Sequence, residues 1–325
     1  MSNYLVEGRG IKKYFPVRRG PHYRSSTVWL KAVDGVDFTV ASGETLGLVG
    51  ESGCGKSSLS RILLMLDTAT EGELRFDGKP LQTLSRENVR SIRRSVQPVF
   101  QNPYSSLDPR MRIGRIIAEP LTVGGRMAAQ DVARRVGDVL ELVGLPECDR
   151  TRFPHEFSGG QRQRIAIARA LASSPRLIVL DEAVSAQDIS IRAQILNLLR
   201  DLQDSMSLSY VFIAHDLATV RFMSDRIGVM YLGKIVEIGA AEDICRTPQH
   251  PYTQALFAAT LPDRPGADVA PIAIVEGDVP SPIDIPRGCR FNTRCPHAKM
   301  KCRQAEPTLS VPQAGRQVAC FLHDA

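Results

Sequence analysis

Residues Gly50-Glu51-Ser52-Gly53-Cys54-Gly55-Lys56-Ser57 have the spacing G-x-x-x-x-G-K-[ST], and their surroundings restrict the fold more than any other part of the chain. The apolar run Thr45-Leu46-Gly47-Leu48-Val49 before them reads as a buried strand, and a helix is expected from about Ser57 to Leu66. A glycine-rich turn between such a strand and helix points successive backbone N–H groups and the positive helix end at one place, which suits phosphate. Lys56 would neutralise charge on the β- and γ-phosphates, and the Ser57 hydroxyl would join a Mg2+ shell. The cradle comprises Gly50, Glu51, Ser52, Gly53, Cys54, Gly55, Lys56, Ser57 and Ser58. An α/β architecture follows from it.

The 325 residues suffice for one large α/β domain with a small appendage, or for two modest domains. Further strands are expected at Leu74–Gly78 and Val96–Phe100, with Pro98 confining the second to an edge or a strand end. Segment 103–170 changes character: a turn-rich link leads into helical stretches near 112–120 and 128–143, a helical insertion in the α/β pattern. The pattern resumes with strands at Leu177–Leu180 and Tyr210–Ala214 around a helix at about 189–205, and a hairpin spans Ile227 to Ile238. The net charge of +6 is a mild excess, read mainly as solubility although it permits docking at an anionic surface. The opening residues lack a secretory pattern and no run of 18 apolar residues occurs, so a chain that neither spans nor crosses a membrane is expected.

Two of these strands end in chemistry. Leu177-Ile178-Val179-Leu180 runs into Asp181-Glu182, where Asp181 is suited to orient Mg2+ and Glu182 to polarise an attacking water as general base. Tyr210-Val211-Phe212-Ile213-Ala214 runs into His215, suited to contact a γ-phosphate and hold Glu182 and water in register. Carboxyl ends of strands in open α/β sheets are where ligands bind.

The ordered motifs resemble ABC transporter ATPases, and closely the ATP-binding subunits of dipeptide and oligopeptide import systems. The resemblance rests on Lys12-Lys13-Tyr14-Phe15-Pro16, the phosphate loop, Val99 to Arg110 with Gln101, Phe157-Ser158-Gly159-Gly160-Gln161, Asp181-Glu182, His215 and Pro251-Tyr252-Thr253. It implies a P-loop fold of ABC type with a mixed sheet core, a helical signature subdomain at about 103–170 and a small Cys-rich C-terminal extension. The ATPase domain would cover 1–262, complete in its catalytic groups, and a proline-rich linker with the Cys-rich region would cover 263–325. In such ATPases two subunits sandwich two ATP molecules head to tail. Ser158, Gly159, Gly160 and Gln161 would then meet the nucleotide held by the partner, and Asp188 would communicate across the dimer. Gln101 would sense Mg2+ and water, and the adjacent 102–110 segment would face a membrane subunit. Tyr14 is the best match to the adenine-stacking aromatic, with Phe15 a close alternative.

The resemblance also implies partners: a homologous ATPase subunit in a heterodimer, two integral-membrane permeases, and indirectly a solute-binding protein, at the cytoplasmic face of the cell membrane. No nucleic acid partner is expected, although a soluble ABC ATPase acting on nucleic acid or ribosomes is the alternative class. Glutathione, a peptide-like compound or a nickel complex are alternative cargoes. One departure stands out: Ala183-Val184-Ser185-Ala186-Gln187-Asp188 occurs where the family has Pro-Val-Ser-Ala-Leu-Asp. It bears on dimer contact or coupling.

Four of seven cysteines, Cys289, Cys295, Cys302 and Cys320, crowd the last forty residues. Four thiols can bind Zn2+ or hold an Fe-S cluster, and free reduced thiols are the third reading. Similar peptide-import ATPases have this tail, and the resemblance implies a [4Fe-4S] cluster, with Zn2+ the alternative.

Overall fold

The computed structural model of the protein describes residues 4–19, 26–101, 106–122, 127–184, 187–258, 277–313 and 315–323. In chain order, β1 (Tyr4–Arg19) and β2 (Ser26–Ala41) lead to β3 (Thr45–Val49) and α1 (Lys56–Leu63). Then come β4 (Glu71–Phe76), β5 (Lys79–Pro80), α2 (Arg86–Ser95) and β6 (Val96–Phe100). A helical region follows with α3 (Ile113–Thr122), α4 (Ala129–Leu142) and α5 (Gly159–Ala172). The chain returns to sheet with β7 (Leu177–Asp181), α6 (Ile189–Met206), β8 (Ser209–Ile213), α7 (Leu217–Met223), β9 (Arg226–Tyr231) and β10 (Lys234–Ala240). Short helices α8 (Ala241–Arg246), α9 (Pro251–Ala258) and α10 (Met300–Gln304) precede β11 (Ser310–Gln313) and β12 (Arg316–Val318).

Strands that are apolar without alternation need cover on both faces, and here a second sheet and the helices supply it. The main sheet has the order β11-β12-β10-β9-β3-β8-β7-β6, with β9, β3, β8, β7 and β6 mutually parallel. Leu177, Val179, Val211 and Ile213 face a core shared with α1 and the antiparallel sheet β2-β1-β4-β5. Ile178, Leu180, Tyr210 and Phe212 face the other core, built with the helices. β6 ends the main sheet, where Pro98 needs no ladder N–H on its outer side.

The segment 263–276 of the expected linker lies outside the described residues, as do Asn102–Ser105 of the coupling segment and Ser185-Ala186. Beyond it, β12 pairs antiparallel with β10 through Glu237↔Val318 and Ile238↔Gln317, so the chain's last strands extend the main sheet. Only two residues register there, and side chains supply the rest. Arg316 Nε donates to Glu237 Oε1 at 3.0 Å and Arg316 Nη2 to the Thr247 carbonyl at 2.6 Å. Gln249 and His250 N–H groups donate to the two oxygens of Glu237 at 2.9 and 3.0 Å. Glu237 is fully buried and Arg316 nearly so. Removing one partner leaves the other charge buried without its counter-ion. Glu237→Ala should therefore lower unfolding free energy by about 3–5 kcal/mol, measured by urea denaturation, and Glu237→Ala with Arg316→Met should recover most of that loss.

Candidate functional site

Register across the parallel strands decides where the polar groups emerge. Leu48 pairs with Ile213, Ile213 with Asp181, and Asp181 with Phe100. The chain therefore leaves β3, β8, β7 and β6 along one sheet edge, carrying the phosphate loop, His215, Glu182 and Gln101. The loop is wedged tightly into this edge. A side chain on Gly55 (φ 110°) would place its Cβ 2.1 Å from the Ala32 carbonyl oxygen, and one on Gly50 would lie 2.2 Å from that of Met230. Only glycine fits at both positions.

Lys56 is folded back into the loop, with Nζ donating to the carbonyls of Gly50 at 2.6 Å and Glu51 at 3.1 Å. Cys54 Sγ lies 3.5 Å from it, and burial pushes the Cys54 thiol pKa up. Ser57 is exposed at the start of α1 and Ser58 half-buried. One turn further, buried Ser60 donates its hydroxyl to Asp181 Oδ2 at 3.0 Å. Burial raises the Asp181 carboxyl above the usual carboxylate range; the Ser60 hydrogen bond opposes this, Glu182 adds to it and Lys56 opposes it. Glu182 takes a left-handed conformation (φ 52°) unusual for a residue with a side chain, and its N–H is held by the Ile213 carbonyl at 2.8 Å. His215 Nδ1 stands 3.8 Å from Glu182 Oε2.

These groups border an open cleft of about 450 Å3 whose walls include Phe15, Leu30, Ala32, the phosphate loop, Glu182, His215 and Pro282. Of the two aromatic candidates, Phe15 lines the cleft, whereas Tyr14 turns its hydroxyl to Asp34 instead. Burial and the Asp34 carboxylate raise the Tyr14 pKa. Gln101 stands exposed at the same sheet edge, outside the cleft lining.

The signature residues are built differently. Ser158 caps α5 in a capping box: its N–H donates to Gln161 Oε1 at 3.0 Å and its Oγ accepts from the Gln161 N–H at 3.4 Å. The sequence Ser-Gly-Gly-Gln therefore makes a helix start with the small residues at its tip. None of Ser158, Gly159, Gly160 or Gln161 lines the cleft of its own chain. Asp188 is exposed at the start of α6, and Gln187 packs on the signature, since a Cβ on Gly159 would lie 3.3 Å from Gln187 Oε1.

Several residues at the loop were given no role there by the sequence, although Tyr252 belongs to the Pro251-Tyr252-Thr253 motif. Tyr252 Oη accepts the Glu51 N–H at 2.8 Å. Arg294 makes a two-pronged ion pair with Glu51, Nη1 to Oε2 at 2.9 Å and Nη2 to Oε1 at 3.1 Å. Ser60 and Pro282 complete the set. Ser60 could have been suspected from its i+3 spacing to Ser57 on one helix face, but no local pattern marks Pro282 or Arg294. The four C-terminal cysteines are half-buried near one another: burial pushes the Cys289 thiol up to about 11, with further upward contributions from Cys302, Cys320 and Cys295. Among the described residues no group of three or more His, Cys, Asp or Glu side chains could hold a metal ion, and no helix is long and apolar enough to cross a membrane.

The family model for ABC transporters matches residues 33–185, and that for the oligopeptide/dipeptide transporter C-terminal region matches 236–302. The dipeptide transport ATP-binding protein DppF of Haemophilus influenzae is 48% identical, covering 98% of this chain and 96% of that protein. The oligopeptide transport ATP-binding protein AppF of Bacillus subtilis is 46% identical over 98% of this chain and 97% of its own length. Among solved structures, the dimeric post-hydrolysis state of the ATP-binding cassette MJ0796 bound to ADP and Pi aligns with TM-score 0.63 and 28% identity, covering 73% of this chain and 99% of that one.

The Ser60 hydrogen bond yields a pH test. It favours the charged form of Asp181, so its loss should raise the Asp181 pKa further and keep the carboxyl protonated to higher pH. A protonated carboxyl cannot serve a divalent cation. If Asp181 orients Mg2+ as expected from the sequence, the acidic limb of the pH profile for Mg2+-dependent ATP turnover should move upward in Ser60→Ala, with the alkaline limb unchanged.

Proposed function

The chain belongs to the ABC transporter family, among the ATP-binding subunits of dipeptide and oligopeptide transporters, and from that membership we propose how its residues share the work. It hydrolyses ATP with Mg2+ to drive import of dipeptides or oligopeptides. Gly50 to Ser58 cradle the phosphates, with Lys56 swinging from its carbonyl partners to the β- and γ-oxygens and Ser57 entering the Mg2+ shell. Asp181 orients the cation, Glu182 takes a proton from the attacking water, His215 steadies Glu182 and the γ-phosphate, and Gln101 reports on cation and water. Phe15, rather than Tyr14, stacks on adenine; its place in the cleft wall supports this.

The observation that carries the reading is the separation of two half-sites. The loop and the catalytic strand ends share one edge, while the Ser158 to Gln161 helix start stays out of its own chain's cleft. An exposed helix N-terminus tipped with small residues suits the γ-phosphate of a nucleotide held by another chain. Two cassettes thus close head to tail on two ATP molecules, with Asp188 and Gln187 at the contact. The partner is a homologous ATPase, making a heterodimer that sits at the cytoplasmic face of the membrane and drives two permeases, with a solute-binding protein as an indirect partner. The domain division is 1–262 for the ATPase, with a helical subdomain at about 103–170, and 263–325 for the linker and Cys-rich region.

For Cys289, Cys295, Cys302 and Cys320 the reading is a [4Fe-4S] cluster. The four thiols stand near enough for Cys302, Cys320 and Cys295 to raise the Cys289 thiol pKa, which supports a shared site, and Zn2+ on the same four thiolates is the alternative. The cluster would supply a structural cross-link, outside the hydrolytic step. Anaerobically purified protein should contain about four iron and four acid-labile sulfides per chain; stoichiometric zinc, or neither, would reject the cluster.

Turnover tests the rest. Glu182→Gln should retain MgATP binding yet lose about a hundredfold or more in ATP turnover, measured as phosphate release by the assembled importer. Undiminished turnover would remove Glu182 from the role of base.

A further inference from the structure

Arg294 reaches the phosphate loop from 243 residues further along the chain. It stands in the segment that carries Cys289 and Cys295, yet its guanidinium forks onto the carboxylate of Glu51, the second residue of the loop. Its side chain is only 8% exposed. The Arg294 N–H donates to the Phe291 carbonyl at 3.0 Å, and the guanidinium lies against the rings of Tyr231 and Phe291 at 5.9 and 5.8 Å. Arg294 also donates to Tyr231 Oη at 3.4 Å. It is anchored, and Glu51 must come to it.

Every polar part of Glu51 is thereby committed. The carboxylate is on Arg294, the N–H on Tyr252 Oη, and the carbonyl on Lys56 Nζ. This matters for a polyanion. A carboxylate in the cradle repels a triphosphate and competes for Lys56. Lys56 and Glu51 alone cancel; Arg294 leaves the loop with one positive charge in excess. The same C-terminal segment touches the cleft a second time. Pro282 lines it beside Phe15 and Leu30, and its carbonyl accepts the Lys31 N–H at 3.3 Å.

We propose that Arg294 is a positioning residue for the nucleotide: it turns Glu51 out of the phosphate cradle and cancels its charge, so that the C-terminal segment is part of the ATP site. This rests on the reading of Gly50 to Ser58 as the ATP cradle. It changes the expectation that the catalytic domain is complete by residue 262. It also gives the cysteine-rich segment a route to the nucleotide, since Cys295 follows Arg294 directly in the chain.

The test compares MgATP kinetics of the full chain, assembled with its partners, for the wild type, Arg294→Ala, Arg294→Lys and the double variant Arg294→Ala with Glu51→Gln. Freeing a carboxylate at the phosphates should raise KM about tenfold in Arg294→Ala, while kcat stays within about twofold. Arg294→Lys should keep KM within about threefold of wild type, and the double variant should return it to that range, because the charge that needed cancelling is gone. An unchanged KM in Arg294→Ala, or a double variant no better than the single one, overturns the proposal in favour of a purely structural ion pair. If Arg294→Ala does not fold, the lysine and double variants decide: a KM about tenfold above wild type in the double variant overturns it. A wild-type protein that turns over no ATP would fail the underlying nucleotide reading instead.

Discussion

Four parallel strands in register along Leu48, Ile213, Asp181 and Phe100 decide where every polar group of the site stands. Because the strands run the same way, their ends coincide, and a phosphate loop, a carboxylate pair, a histidine and a glutamine leave the sheet on one edge. The register is itself a packing result. Alternate residues of β7 and β8 enter two separate cores, and a slip by one residue would exchange them. The chemistry of the edge therefore depends on the apolar cover on both faces.

Along that edge the electrostatics are arranged before any nucleotide arrives. Lys56 rests on two carbonyls of the loop, so the loop is held in shape by the lysine proposed to turn to the phosphates. Asp181 carries the cost of burial and is partly relieved by Ser60 from the helix that the loop begins. Glu51, the negative side chain of the loop, is engaged by Arg294. The site is a balance of charges drawn from three regions of the chain, the loop, the end of β7 and the C-terminal segment.

The C-terminal segment is tied in by side chains more than by backbone. The β12–β10 pairing is short, and the buried Arg316–Glu237 pair reinforces it through two backbone N–H groups and the Thr247 carbonyl. Arg290 adds a second tie, bonding Asp34 and the Leu232 carbonyl, with Glu306 at 3.1 Å. Tyr14 spends its hydroxyl on this same Asp34, which explains why Phe15 is left to face the cleft. An N-terminal strand and a C-terminal segment thus meet at one carboxylate.

The sequence alone determined the strand–loop–helix unit at Gly50 to Ser57, the apolar strands at 177–180 and 210–214, the helical insertion, and that the strand containing Pro98 lies at an edge or a strand end. Each is a local matter of periodicity, glycine conformation or a missing N–H, and none needs a distant residue. It also placed Asp181, Glu182 and His215 at strand ends, since carboxylates after an apolar run are conspicuous in a linear reading. The choice between Tyr14 and Phe15 was not local. Adjacent residues in a strand point to opposite faces, so only the register of β1 against β2 and the pull of Asp34 could decide it. The same holds for the tail, which reads as an appendage behind six prolines but extends the main sheet and reaches Glu51. Long-range ion pairs such as Arg294–Glu51 and Arg316–Glu237 leave no mark in sequence spacing, because their geometry exists only once separate elements have packed.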